Sequence, residues 1–393
     1  MRLSLSAVTF DDAEIAEAID CFRTGRVTMG DKCRAFEAAF AEYVGASHAV
    51  FVNSGSSANL LAWFALANSE FPKKEGPPLS SGAEVIVPAV CWSTTVWPIV
   101  QAGGVPVFVD CDPETLCLDP NAAAPAIGNK TVAICPVHPL GNVCDMDAIR
   151  ELCDERGLIL VEDACEALGS KWRGRPAGRF GVMGTYSFYF SHHITTIEGG
   201  MVVTDDAEID ALLRVLRSHG WARDPQLPPI EVPFSERYRF INTGFNLRPT
   251  EISAAFGIHQ LKKLDRFNRA RKAHAARLKG LLSPLISDGW IAVMRINEGV
   301  DAAHFGYPFL CRDGADRDKL AAHLEAHGIE TRPIICGNMA RQPAMRQIRH
   351  RVSGSLVGAD RIMDFGLYVG LHPNMSEAEV DYLAATTREF FEA

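Results

Sequence analysis

The chain has 393 residues, 39 Lys+Arg against 48 Asp+Glu, and a formal net charge of −9. At roughly 100–200 residues per domain, that length allows two or three domains and a large core. A hydrophobic share of 47% with 22% charged residues excludes a disordered, collagen-like or disulfide-stapled chain. The acidic balance argues against nucleic-acid binding and against a polybasic membrane contact.

The start of the chain turns acidic at Asp11, Asp12 and Glu14 without a signal-peptide core, and no continuous apolar run is long enough to span a bilayer. A cytoplasmic protein is expected. Asp11–Arg23 and Lys32–Tyr43 read as amphipathic helices. His48–Val52 is a short apolar strand, followed by Asn53-Ser-Gly-Ser-Ser57 and a helix through Ala67. Apolar runs recur at Glu84–Pro88, Val105–Val109, Thr131–Pro136, Leu158–Glu162, Gly184–Tyr189 and Gly200–Thr204. Short, nearly continuous runs between helical segments predict parallel strands buried on both faces, an α/β sheet with flanking helices. Pro225–Pro233 reads as a surface loop, either a connector or a lid. After a long helix at Thr250–Leu282 come strand-like Ile291–Ile296 and His304–Cys311, a helix near Asp316–His327 and a terminal helix from Ser376. This predicts a large α/β domain over residues 1–255 and a smaller α+β domain over 256–393. The 11 Cys are scattered with no zinc-knuckle spacing, so free thiols and no metal site are expected.

Three segments hold candidate chemistry. Asn53-Ser54-Gly55-Ser56-Ser57-Ala58 joins a strand to a helix, where glycine permits close backbone approach and the helix N-terminus offers unpaired N–H groups to a phosphate. Leu158-Ile-Leu-Val-Glu162-Asp163-Ala-Cys-Glu166 places carboxylates at the carboxyl end of a buried strand, where open α/β sheets bind ligands. Ser187-Phe-Tyr-Phe-Ser191-His192-His193-Ile-Thr-Thr196-Ile-Glu198-Gly199-Gly200 sets two His in a loop between strands. Gly178-Arg-Phe-Gly181-Val-Met-Gly184 precedes a strand rather than opening a helix, which rejects a dinucleotide loop. Tyr186, Phe188 and Phe190 alternate and read as core.

In this order, with Gly244-Phe-Asn246-Leu-Arg248-Pro-Thr-Glu251, the motifs resemble the DegT-type sugar aminotransferases, fold-type-I (aspartate aminotransferase-like) pyridoxal-phosphate enzymes. The likeness runs from Gly30 and Phe36-Glu37 to Gly328-Ile-Glu-Thr-Arg332-Pro. One position departs from the aminotransferase pattern. Six residues before Glu198, where those enzymes carry the cofactor-linking Lys, this chain has His192, the mark of the sugar 3-dehydratase branch. Trp92-Ser-Thr-Thr95, His219-Gly-Trp221-Ala-Arg223 and Arg332-Pro-Ile-Ile-Cys-Gly-Asn338 look like the same branch. An iron–sulfur cluster, as in a related dehydrase, is excluded because no Cys lies between Cys165 and Cys311.

The resemblance implies pyridoxal 5'-phosphate and pyridoxamine 5'-phosphate held non-covalently, L-glutamate as amino donor, and a nucleotide-linked 4-keto-6-deoxy sugar, with GDP-4-keto-6-deoxy-D-mannose the expected one. His192 would take a proton from the cofactor's C4′ methylene while the sugar loses its 3-hydroxyl, giving a 3,6-dideoxy-4-keto sugar for O-antigen-type biosynthesis. Asp163 would face the pyridine nitrogen, Trp92 the ring and Glu166 its polar edge. Gly55, Ser56 and Ser187 would hold the phosphate, joined by Asn246 from the second subunit of a homodimer. His219, Arg223, Arg248 and Arg332 would meet glutamate or the diphosphate; His193 is expected to turn away. Alternatives are a sugar aminotransferase, the same dehydration on another nucleotide sugar, and a catalytically silent protein of this fold.

Overall fold

The computed structural model describes residues 2–72, 74, 79–222, 234 and 238–392. In chain order its elements begin with α1 (Asp12–Arg23), α2 (Asp31–Val44), β1 (His48–Val52), α3 (Gly55–Leu66), β2 (Glu84–Pro88), α4 (Ser93–Gln101), β3 (Val105–Val109), α5 (Pro120–Ala123) and β4 (Thr131–Ile134). There follow α6 (Met146–Arg156), β5 (Ile159–Asp163), β6 (Lys171–Trp172), β7 (Arg175–Pro176), β8 (Met183–Ser187), β9 (Gly200–Thr204), α7 (Ala207–Arg217), α8 (Glu251–Leu281) and α9 (Ser283–Ser287). The last part holds β10 (Ile291–Val293), β11 (Val300–Asp301), β12 (Gly306–Cys311), α10 (Gly314–Ala326), β13 (Thr331–Arg332), β14 (Arg351–Val352), α11 (Val357–Phe365), β15 (Gly366–Gly370) and α12 (Glu377–Glu392).

Eight strands form the main sheet in the order β1-β9-β8-β5-β4-β2-β3-β14. From β8 to β14 every pairing is parallel, whereas β9 runs antiparallel between β1 and β8. The expected mostly parallel sheet is therefore present, with one reversed strand. Alternation decides where each side chain goes. Val50 and Val52 enter the core shared with α3, α4 and α7, while Ala49 and Phe51 enter the core shared with α2, α6 and α8. A strand buried on both faces has no solvent-facing positions to fill with polar residues, which is why these runs read as nearly continuously apolar. Side-chain oxygens of Ser54, Asp145, Asp206 and Thr250 cap α3, α6, α7 and α8.

Two positions within the recognised motifs, Glu251 and Glu37, have structural work. Glu251 accepts hydrogen bonds from the backbone N–H groups of Gly30, Lys32 and Cys33 at 2.8, 2.9 and 2.9 Å, closing the start of α2 with one carboxylate. Glu37 pairs with buried Arg217 at 2.8 Å and accepts from the Phe51 N–H at 2.8 Å, so the ion pair is hydrogen-bonded as well as enclosed.

The second sheet, β10-β12-β15-β13, is wholly antiparallel and carries its own core with α10 and α12. Chain order and packing do not coincide at its border. The expected division at 255 and 256 falls inside α8, Leu3 packs in the small core, and β14 returns to the edge of the main sheet. Tyr186 and Phe188 are core, but Phe190 is 37% exposed, because β8 ends at Ser187 and the alternation stops there. The cysteines are free thiols, and among the described residues no helix is long and apolar enough to cross a membrane.

Candidate active site

The carboxyl ends of β5 and β8 meet the β1–α3 turn and the start of α4. Asp163, the last residue of β5, is 5% exposed. Its Oδ2 accepts from Asn59 Nδ2 at 2.9 Å and Thr95 Oγ1 at 2.8 Å, and its Oδ1 accepts from the Cys165 N–H at 3.2 Å. Thr185 Oγ1 donates to Asn59 Oδ1 at 2.6 Å, which fixes the amide with its NH2 toward Asp163. The carboxylate is thus aimed by groups from α3, α4 and β8. Sequence reasoning missed Asn59 and Thr185 altogether and took Thr95 only as part of a motif. The available signal was a lone amide in the otherwise apolar stretch Ala58–Leu66.

At the start of α3 the Ser54 hydroxyl accepts from the Ser57 N–H at 3.0 Å, leaving Gly55 and Ser56 as the outermost donors. Ser187 lies directly against this turn: a Cβ on Gly55 would come within 2.4 Å of Ser187 Cβ. Glycine at 55 therefore lets a hydroxyl and a helix N-terminus share one anion-sized place. Trp92, just ahead of α4, is 56% exposed and leaves a ring face available for stacking.

His192 is half-buried. Its Nδ1–H donates to the Cys165 carbonyl at 2.9 Å, which leaves the lone pair on Nε2. Phe305 and Tyr189 pack edge-on at 5.1 and 6.2 Å between ring centroids. Burial pushes the imidazole down to about 4, against the pull of the Cys165 carbonyl and Asp163, with Arg271 lowering it further. The ring is neutral at neutral pH and able to accept a proton. His193 is buried instead against the Ala303 carbonyl, 2.7 Å from its Nε2.

Glu166 accepts from the Leu140 N–H at 3.0 Å. Burial first, and the nearby Asp163 charge second, push its carboxyl up to about 7. Leu140 reaches it from a left-handed backbone with φ 49°. Glu162 belongs to the framework: it pairs with buried His138 at 3.0 Å and accepts from the N–H groups of Gly178 and Gly181, each at 2.8 Å. That explains the glycine-rich loop without a ligand.

The remaining expected residues form a separate group. His219, with φ 65°, bonds through its N–H to the Phe245 carbonyl, and Asn246 forms a bridge with Ser218. Asn246 Oδ1 accepts from Arg248 Nε at 2.9 Å. This segment passes the phosphate-type turn, since the Leu247 carbonyl accepts from the Asn53 N–H at 3.1 Å, yet Asn246 and His219 point into solvent. No hydrogen bond among the described residues joins their side chains to Asp163, Ser187 or His192. Arg332 is exposed on β13, opposite Tyr368 of β15. The Tyr368 phenol, pushed up to about 12 by burial, feels both Glu166 and Arg332, which puts Arg332 on the Glu166 side. Arg223 and the Pro225–Pro233 loop lie outside the described residues.

An anion cradle, a buried carboxylate, an open indole face and a neutral imidazole suit a phosphorylated pyridine cofactor. Among the described residues no lysine hydrogen-bonds to any of these groups.

The family model of the DegT/DnrJ/EryC1/StrS aminotransferases matches residues 8–388. The GDP-4-keto-6-deoxy-D-mannose 3-dehydratase of Yersinia pseudotuberculosis is 39% identical over 381 residues, covering 95% of this chain and 94% of that one. The E. coli GDP-4-keto-6-deoxy-D-mannose-3-dehydratase with bound hydrated PLP superposes with a TM-score of 0.91 at 36% identity, over 98% of this chain and 99% of its own. A structure of GDP-4-keto-6-deoxymannose-3-dehydratase with a trapped PLP-glutamate geminal diamine gives a TM-score of 0.91 at 36% identity, over 98% and 100%.

Proposed function

Because the chain belongs to the DegT/DnrJ/EryC1/StrS aminotransferase family, we propose that it is a glutamate-dependent sugar 3-dehydratase using pyridoxal and pyridoxamine phosphate. Its substrate is a nucleotide-linked 4-keto-6-deoxy sugar, GDP-4-keto-6-deoxy-D-mannose, and its product the 3,6-dideoxy-4-keto sugar of a cytoplasmic dideoxysugar pathway feeding lipopolysaccharide. One glutamate and one keto sugar give one 2-oxoglutarate, one ammonia and one sugar lacking an oxygen. The single observation that carries this reading is His192: an imidazole with a free Nε2 at the position where an amine tethers the cofactor in aminotransferases.

A bound cofactor would supply the electron sink that couples loss of a proton at its C4′ methylene to loss of hydroxide from C3 of the sugar. Asp163, fixed by Asn59 and Thr95, holds the pyridinium N–H. Gly55, Ser56 and Ser187 donate to the phosphate, Trp92 covers the ring, and Glu166 lies at the ring's polar edge. His192 takes and returns the proton at Nε2, since Nδ1–H stays on the Cys165 carbonyl. His219, Arg223, Arg248 and Arg332 meet the anionic groups of glutamate and the sugar nucleotide. Asn246 serves the phosphate of a second copy in a homodimer. Support for that assembly comes from the exposure of Asn246 and of the apolar side chains Tyr189, Phe190, Ile197, Phe240 and Ile241.

The test is a mass-spectrometric product assay with glutamate and GDP-, CDP- and dTDP-4-keto-6-deoxy sugars. The expected product is lighter by one oxygen and appears with equal 2-oxoglutarate and ammonia. An aminated sugar of unchanged oxygen count at C3 would replace this reading with an aminotransferase.

A further inference from the structure

The outer helices of the small sheet hold a constellation that the sequence reading passed over. His323 lies in the last turn of α10 and His327 just beyond its end, four positions apart and on one face, with ring centroids 4.3 Å apart. Glu389 of α12 reaches the same place. One ligand atom from each of the three residues lies within 4.8 Å of the other two.

Both rings are already oriented by the backbone. His323 Nε2–H donates to the Thr386 carbonyl at 3.2 Å, and His327 Nδ1–H donates to the His323 carbonyl at 2.8 Å. Those bonds leave lone pairs on Nδ1 of His323 and Nε2 of His327. Metal-binding histidines characteristically place their second ring N–H on a carbonyl in this way, which fixes tautomer and direction before the ion arrives. The Tyr382 hydroxyl holds the His327 carbonyl at 3.0 Å, and Phe390 packs against the His323 ring at 5.6 Å. The neighbouring cation on α12, Arg388, is neutralised by Glu392 at 3.0 Å.

We propose that His323, His327 and Glu389 form a binding site for a borderline divalent transition cation, represented by zinc, with water completing its shell. Two imidazoles and one carboxylate are a donor set for zinc, nickel or copper, and a poor one for magnesium or calcium, which take oxygen ligands. Ligand distances of about 2.0–2.1 Å require the three groups to draw inward. His327 and Glu389 are exposed, so rotation of their side chains accomplishes this with the backbone in place. The bound ion would clip the end of α10 to α12.

The experiment is a zinc titration of the purified holoenzyme, followed by calorimetry and by its melting temperature, with magnesium as control. The expected result is one zinc per chain with an affinity on the order of micromolar, a raised melting temperature, and no response to magnesium. His327→Ala should weaken zinc binding at least tenfold and Glu389→Gln severalfold, both with unchanged turnover in metal-free buffer. Absence of zinc uptake by the unaltered protein would overturn the proposal. So would equal uptake and equal thermal shift in the His323→Ala/His327→Ala double variant.

Discussion

Two regions bring chemistry to the same end of the main sheet, and they are built in opposite ways. Around Asp163 every polar atom has a partner supplied from within the chain: Asn59, Thr95 and the Cys165 N–H surround one carboxylate, and Thr185 aims the amide that aims it. Along the 218–248 segment His219 and Asn246 are exposed, and the Asn246 and Arg248 side chains bond to each other. The first arrangement preorganises charge, which is where enzymes gain most. The second presents donors to something that arrives. One chain thus holds a carboxylate fully braced from within, beside a segment whose polar side chains face outward.

The sharpest way to break this contrast is at His192. His192→Asn should retain the cofactor and lose turnover by about 10²–10⁴, the range for a missing general base. Absorbance titration with pyridoxamine phosphate and the product assay separate the two effects, and full turnover would remove His192 from its role. Next comes the outward-facing segment. Asn246→Asp, which sets a carboxylate against a phosphate, should weaken cofactor binding by about 10–10². Mixing that variant with His192→Asn should restore about a quarter of unaltered activity, because half of randomly paired dimers then carry one intact site. No recovery on mixing would mean that Asn246 serves its own chain.

A smaller effect is expected at the support of Asp163. Asn59→Ala should lower cofactor affinity and turnover by about tenfold while Asn59→Asp, which adds a like charge, should be worse. The smallest effect concerns pH. The His192 imidazole falls from 6.5 in the unfolded chain to about 4 in the folded one. Its stabilising contribution is therefore complete above about pH 6.5 and is lost as pH falls toward 4. In cofactor-free protein, denaturant melts across that window should show a smaller acid loss for His192→Asn than for the unaltered chain.

The sheet was legible because strands buried on both faces leave an unmistakable apolar run, as at Val105–Val109. Direction was not legible for the same reason. Gly200–Thr204 is as apolar as its neighbours, and nothing in a run buried on both faces marks it as reversed. Asp163 and His192 could be singled out as candidates from the sequence because each sits at a fixed offset within a local motif. The pairing of Asn59 and Thr95 with Asp163 could not, since their partner lies 104 and 68 positions away and only the fold brings them to it. Leu3 illustrates the same limit at larger scale: it joins the small core through a bridge to Ile329 that no local pattern announces.

The Glu251 clasp has a mechanical consequence. It roots the 31-residue helix that leads to the small sheet, and it does so through three charge-assisted bonds to the first turn of α2. A pivot at that root would have to break all three together. Any bending between the two sheets is accordingly directed to points farther along the rod, and Glu251→Gln, which weakens the three bonds, should lower the melting temperature.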